Sequence, residues 1–174
     1  TTYFILKNGT VFKNNQQIKV FENVERLLIH YPYLLIIKII NGKLEFKTYT
    51  SNNNNIYSEV NDYIFDCHLT FIDCLTSSNN ILLLDNNGDV YFLGIINSDL
   101  HTHLFSGEGK KIKFPRKIKG LSNIIHMYVD TNGNNMFFVD INRNLYVLGL
   151  NLKEELSMDK IFIAKPTLHP TIKL

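Results

Sequence analysis

Apolar and polar residues follow one another in short blocks along the chain, and four of these blocks share one layout. An apolar run meets a turn and resumes at once as a second apolar run: "FILKNGTVF" at 4–12, "IIKIINGKLEF" at 36–46, "LLLDNNGDVYFLG" at 82–94 and "FFVDINRNLYVLG" at 137–149. Asn-Gly between apolar runs is a strong hairpin signal, because a type I′ turn needs positive φ at both central residues. Four hairpins are therefore expected, with Gly9, Gly42, Gly88 and Arg143 as equivalent turn residues behind Asn8, Asn41, Asn87 and Asn142. Arg143 breaks the glycine pattern, so a different turn is expected there, with Asn142 or Asn144 in the left-handed position.

Three related phrases lie upstream of the hairpins: "IKVFENVERLLIHY", "IYSEVNDYIFDCH" and "KIKGLSNIIHMYVD". Each opens on a short apolar segment, crosses a polar turn and ends in another apolar segment, which brings the count to about four short strands per repeat. The turn residues stand 33, 46 and 55 residues apart, a range that brackets the blade of a β-propeller. The expected fold is all-β: a small or partial β-propeller of about four antiparallel hairpin repeats, with a β-sandwich as the alternative. One domain over 1–174 is expected, with repeats near 1–16, 17–55, 56–109 and 110–160. Residues 161–174 are then a closing strand that pairs beside residues 1–13 and removes two sheet edges. The competing reading is a fragment, or half of a ring completed by another chain.

Composition agrees with strands. Ile, Val, Leu, Phe and Tyr dominate the apolar residues, and Ala164 is the single alanine. At 174 residues the chain is long enough for one compact core. The abundance of Asn, Ile and Lys fits an AT-rich genome, such as that of a protist or a large DNA virus, and "SNNNN" at 51–55 reads as a solvated loop. "YLLIIKII" is broken by Lys38 and falls well short of the roughly 18 residues a membrane helix needs. Cys67 and Cys74 are too few for a disulfide framework and suit a reducing compartment, with buried core thiols the favoured reading. An intracellular place, cytoplasm or nucleus, is expected.

"ILLLDNNGDVYFLGIINSDL" and "MFFVDINRNLYVLGLNLKEEL" resemble the repeat of the regulator of chromosome condensation family. The matching positions are Asp85, Gly88, Tyr91, Gly94, Asn97 and Leu100, then Asp140, Tyr146, Gly149, Asn151 and Leu156. "FPRKIKGLSNIIHMYVD" and "KPTLHPTIKL" resemble the Pro-led strand that begins each repeat of that family. Leu93 and Leu148 stand where the family prefers Trp, and residues 1–66 carry the resemblance poorly. It implies a propeller whose loops bind other proteins. The family's best-known activity, guanine nucleotide exchange on the small GTPase Ran, enters only as an alternative.

Catalytic constellations are scarce. No phosphate loop, nucleophile elbow or His-Glu zinc helix is present. Asp99, His101 and His103 in "SDLHTH" are metal-ligand types at a workable spacing, but surface histidines on a loop between repeats are the favoured reading, so neither a metal nor a cofactor is expected. His30 and His126 read as equivalent positions of two repeats. The sharpest local feature is the basic tract Lys110, Lys111, Lys113, Arg116, Lys117 and Lys119, which contains no acid. It suits an acidic protein face or phosphates, against the plainer reading of an edge strand protected by lysines. A net charge of +2 argues against a strong nucleic-acid binder. Tyr31, Tyr33, Tyr49, Tyr57 and Tyr63 are either interface anchors or half-buried sheet residues. The expected function is a noncatalytic protein–protein interaction module acting through propeller loops, with another protein as partner and no membrane. The alternatives are a structural subunit of a viral or parasite assembly, including a homo-oligomer, and an exchange-factor-like regulator.

Overall fold

A computed structural model describes residues 3–14, 16–18, 21, 23–30, 33–40, 43–51, 57–60, 69–77, 80–95, 111–130, 135–150 and 162–173. These residues form β-strands and turns, with no helix among them. The first sheet holds β1 (Tyr3–Ile5), β2 (Val11–Lys13) and β3 (Gln16–Gln17). The second holds β4 (Arg26–His30), β5 (Tyr33–Ile40), β6 (Lys43–Ser51) and β7 (Tyr57–Val60). The third holds β8 (Phe71–Thr76), β9 (Asn80–Asp85), β10 (Val90–Ile95) and β11 (Lys111–Lys117). The fourth holds β12 (Ile124–Val129), β13 (Asn135–Asp140), β14 (Asn144–Leu150) and β15 (Phe162–Lys173). Every sheet is an antiparallel meander in chain order, so no strand has to cross another.

All four expected hairpins form: β1–β2, β5–β6, β9–β10 and β13–β14. Three of them turn differently from the expectation. Gly9, Gly88 and Arg143 each donate their N–H to the carbonyl three residues back, at 2.9, 3.1 and 2.9 Å, and alone in their turns have positive φ (78°, 78° and 65°). This is a three-residue loop, a type I turn followed by one left-handed residue. The asparagines before them keep ordinary φ, and Arg143 takes the left-handed place itself. Asn41 and Gly42, the two residues between β5 and β6, lie outside the described residues.

β15 pairs with β14, Leu150 opposite Phe162 and Val147 opposite Thr167, and is the last strand of the fourth sheet. β7 and β11 behave alike: the segment that the sequence reading puts at the head of a repeat is the last strand of the preceding sheet. Both Pro-led segments follow this rule, and Pro115 and Pro166 sit on the outermost strands β11 and β15, where a missing N–H breaks no ladder bond.

The chain forms two compact units, 1–65 and 66–174, and each packs two consecutive sheets in the same way. In the first unit Ile5, Val11, Ile18, Phe21, Val24, Leu27, Leu34 and Ile36 share a core. In the second, Leu84, Val90, Ile118, Leu121, Ile124, Met127, Met136 and Phe138 do so. The two sets correspond residue by residue, because "IKVFENVERL" (18–27) and "IKGLSNIIHM" (118–127) both read I-K-x-Φ-x-N-Φ-x-x-Φ, Φ being apolar. Both connectors begin identically: Ile18 N–H bonds Val11 O and Ile118 N–H bonds Val90 O, each at 2.8 Å. In the first unit Phe21 also meets Tyr49 and Tyr57 edge-on, with ring centroids 4.8 and 5.0 Å away. Tyr49 and Tyr57 are therefore core residues; Tyr31 and Tyr63 lie outside the described residues.

A clasp locks each pair of sheets. Val24 N–H donates to Gly9 O (3.2 Å) and Ile124 N–H to Gly88 O (2.9 Å). To let the turn come this close, Asn23 and Asn123 take left-handed φ of 54° and 53°, a conformation asparagine tolerates better than most residues. The turn residue has no room for a side chain. A methyl group on Gly88 would stand 2.7 Å from Asn123 Cα and 2.8 Å from Ile124 N, and one on Gly9 2.7 Å from Val24 N.

Gly88→Ala meets both the backbone strain and this overlap, and is expected to lower stability by about 2 kcal/mol or more. Arg143→Gly removes the strain of a left-handed L-residue, offset in part by the flexibility glycine adds to the unfolded chain, and is expected to raise stability by about 0.5–1 kcal/mol. Urea unfolding of the three proteins checks both signs.

Candidate functional site

The residues that carry the sequence resemblance are tied up in building turns. Asp85 is buried at the end of β9. Its Oδ1 accepts the N–H groups of Asn87 (2.9 Å) and Asp89 (2.8 Å), and its Oδ2 accepts the Tyr91 hydroxyl (3.3 Å). Asp140 repeats the arrangement at the end of β13. Its Oδ1 accepts from Asn142 and Asn144 N–H, both at 2.9 Å, and its Oδ2 from Asn144 Nδ2 (2.9 Å) and the Tyr146 hydroxyl (3.4 Å). A buried carboxylate held by several N–H and O–H donors is a turn cap. In the first sheet Leu6 replaces the aspartate, and Asn8 Oδ1 caps the turn instead by accepting Thr10 N–H at 3.1 Å.

Ionisation follows from these bonds. Burial alone pushes the Asp140 carboxyl up, but the side chain and backbone of Asn144, the backbone of Asn142 and Tyr146 outweigh it and hold the group below its ordinary value of 3.8. Burial, then the charges of Asp85 and Asp89, push the Tyr91 hydroxyl up to about 12. Burial and Asp140 raise Tyr146 likewise. Each of these perturbed groups is spent on a hairpin, which gives its shift a structural cause.

Gly94 and Gly149, the remaining described matches, have φ of 147° and 145° and sit where β10 and β14 slip register against their outer neighbours β11 and β15. Asn97, Leu100, Asn151 and Leu156 lie outside the described residues, as do Cys67 and the Asp99, His101, His103 group. Cys74 is buried. His126 is exposed on β12. The clasps align Ile124 with Val24, so His126 matches Arg26 and not His30, which corrects the expected equivalence.

The basic tract falls on β11, the outer edge of the third sheet, and on the connector after it. Between Gly94, opposite Ile112, and Phe92, opposite Arg116, the pairing slips, so the Lys113–Pro115 segment bulges from the ladder. Lys113, Arg116, Lys117 and Lys119 are exposed, Lys111 is partly covered, and Phe114 shows 48% of its surface among them. Lys117 Nζ is bonded to Asp89 Oδ2, and Lys110 lies outside the described residues. The tract is thus an edge strip with an aromatic residue at its middle, and it is the strongest concentration of one charge sign among the described residues.

A second surface feature escaped the sequence reading. Ile72, Ile125 and Ile141 are all exposed and border one open cleft in the second unit. Ile72 and Ile125 are the extra residues of two equivalent β-bulges, Phe71/Asp73 on β8 and Ile124/His126 on β12. A bulge re-aims one side chain without changing the apolar pattern around it, so periodicity gave no signal.

Among solved structures, yeast RCC1 (Prp20), determined with Kap60 bound, superposes on this chain with a TM-score of 0.66 at 11% identity, covering 97% of this chain and 46% of that one. A structure of Prp20p from Saccharomyces cerevisiae gives 0.60 at 11% identity over 87% and 39%. Human WBSCR16 gives 0.53 at 16% over 82% and 39%. The chain spans less than half the length of each of these structures. No protein-family model matches it, and comparison with curated proteins finds no match.

Because the folded Asp140 carboxyl titrates below its unfolded value, its stabilisation is complete above about pH 4 and is lost as pH falls through the folded value. Asp140→Ala, which leaves two turn N–H groups without their acceptor, is expected to cost about 1–3 kcal/mol. Asp140→Asn keeps an acceptor oxygen, so it should cost less and should flatten the acid limb of a stability-against-pH curve. Raised tyrosines act at the other end: stability should fall as pH rises from 10 towards 12. Chemical denaturation across pH checks all three. The four described sheets, their shared connector and these superpositions together identify the fold as part of an RCC1-like β-propeller.

Proposed function

We propose that this protein is a noncatalytic protein-interaction module and that the basic edge of its third sheet takes an acidic segment of a partner. The observation that carries the reading is the β11 strip, where Lys113 and Arg116 stand exposed beside Phe114 on an outer strand and Lys119 is exposed on the connector after it. Edge lysines alone answer the need to prevent sheet-to-sheet pairing. An aromatic ring half open to water amid them does not serve that end, and aromatic and Arg side chains are the types that anchor interfaces.

A protein segment is favoured over nucleic acid on two grounds. The net charge is only +2, and one member of the tract, Lys117, is engaged by Asp89, so the tract falls short of the many phosphate contacts that tight nucleic-acid binding needs. The structural neighbours add support of a general kind: yeast RCC1 was crystallised with Kap60 bound, and Prp20p was studied for its binding to Gsp1p and histones. That likeness is one of fold, so nucleotide exchange is not carried over to this chain.

The test is fluorescence anisotropy with a labelled peptide of alternating Glu and Leu. Binding that weakens about tenfold or more in Lys113→Glu/Arg116→Glu, and that falls with salt, is expected. Equal binding by the charge-reversed protein, or preference for a DNA duplex over the peptide, would contradict the proposal.

A further inference from the structure

We propose that the cleft between the β9–β10 turn and the start of β12 docks an uncharged segment of a partner protein that presents a branched aliphatic or aromatic side chain. The cleft has a volume of about 370 Å³ and is lined by Ile72, Ile124, Ile125 and Ile141 together with Asn86, Asn87, Gly88 and Asn123. Ligand sites commonly run from about 300 to 1,000 Å³, so this one has room for one or two side chains and no more.

The fold does not ask for apolar residues at these places. Glu25, next to the clasp residue Val24, occupies the position of Ile125, next to Ile124, and Lys7 and Asn86, the first residues of the β1–β2 and β9–β10 turns, occupy the position that Ile141 has in the β13–β14 turn. All three are exposed. A charged or polar residue therefore suits the same backbone site, and the second unit instead carries isoleucines that show 54% (Ile72), 44% (Ile125) and 66% (Ile141) of their surface. Single exposed apolar residues are ordinary; three that border one concavity, two of them aimed by equivalent bulges, form a patch.

The lining also sets the occupant's chemistry. Among the described residues it contains no ionisable group, so a charged side chain entering it would lose hydration with no opposite charge among them to meet. The side-chain amides of Asn86, Asn87 and Asn123 have no hydrogen-bond partner among the described residues. Each offers two N–H donors and one C=O acceptor, which match the C=O and N–H groups of a peptide backbone laid across the rim. An apolar side chain below and a neutral backbone above is the arrangement the surface fits. It stands apart from the β11 strip and does not depend on that strip's charge.

The experiment is a titration of the whole chain, labelled at isoleucine δ1 methyls, with the capped neutral peptide acetyl-Gly-Ser-Leu-Ser-Gly-amide, followed by NMR. The Ile72, Ile125 and Ile141 signals are expected to move together with a dissociation constant in the millimolar range, as suits a contact of one side chain. The Leu→Asp peptide should leave them in place. Ile72→Ser/Ile125→Ser should weaken binding about tenfold, with the remaining methyl spectrum reporting that the fold is kept; if that variant unfolds, Ile141→Ser, at the most exposed of the three positions, should still weaken binding. The proposal is overturned if the three signals stay still, if they move equally with the Asp peptide, if movement spreads over isoleucines away from the cleft, or if the folded variant binds like the parent. Because the peptide is uncharged, failure here leaves the acidic-segment reading untouched, and failure of that reading leaves this result standing.

Discussion

Within each unit of this chain the two sheets are held together at a point where two backbones touch. Gly9 and Gly88 lie flat against Asn23–Val24 and Asn123–Ile124, with the peptide N–H of the apolar residue bonded to the glycine carbonyl. Such a contact needs two unusual backbone conformations at once, a left-handed glycine and a left-handed asparagine, and it leaves no space for a methyl group. In return it fixes the distance and register at which two apolar faces meet. Eight positions of one core then repeat in the other. A sheet of three or four short strands has two faces and cannot cover either alone, so the clasp decides whether the buried residues find their partners.

The same constraint explains the division of labour along the repeat. The turn must hold its left-handed residue rigidly, and a buried aspartate does this for Gly88 in the third sheet and Arg143 in the fourth by gathering the turn's N–H groups, steadied by a tyrosine two strand positions past the turn. Where Leu6 replaces the aspartate, Asn8 takes over one bond. Residues that look like candidates for chemistry, carboxylates beside hydroxyls with shifted ionisation, are thereby accounted for as architecture. What is left free to vary is the outer strand and the rim of the turns, and there the chain carries its basic strip and its isoleucine cleft.

Much of the fold is legible in the sequence because Asn-Gly steps between apolar runs have few other uses. The four hairpins, the all-β class and the place of Asp85 and Asp140 at turns come from local rules that tertiary packing does not override. The frame of the sheets is not local. "FPRKIK" and "KPTLHP" read equally well as the start of one sheet or the end of another, and only pairing with β10 and β14 decides it. Turn type is hidden for a related reason: Asn-Gly suits a two-residue loop, yet the turns at Gly9, Gly88 and Arg143 all take the three-residue form, with or without a glycine. The signal for the clasp was present as I-K-x-Φ-x-N-Φ-x-x-Φ, but its asparagine is one of many in an Asn-rich chain and gains meaning only when its φ is known. The basic strip was visible as a charge run. The isoleucine cleft was not, since Ile72 and Ile125 lie in strands whose alternation hides the bulge, and the cleft exists only where two sheets meet.

If the clasp is the contact on which each pair of sheets depends, the amides of Val24 and Ile124 should be among the slowest to exchange in the molecule. Native-state hydrogen exchange with increasing urea measures this directly. The account predicts that both amides exchange only with the unfolding of their own unit, at the same free energy as the core strands β5 and β13. Exchange of either amide through a small local opening, while those strands stay protected, would contradict it.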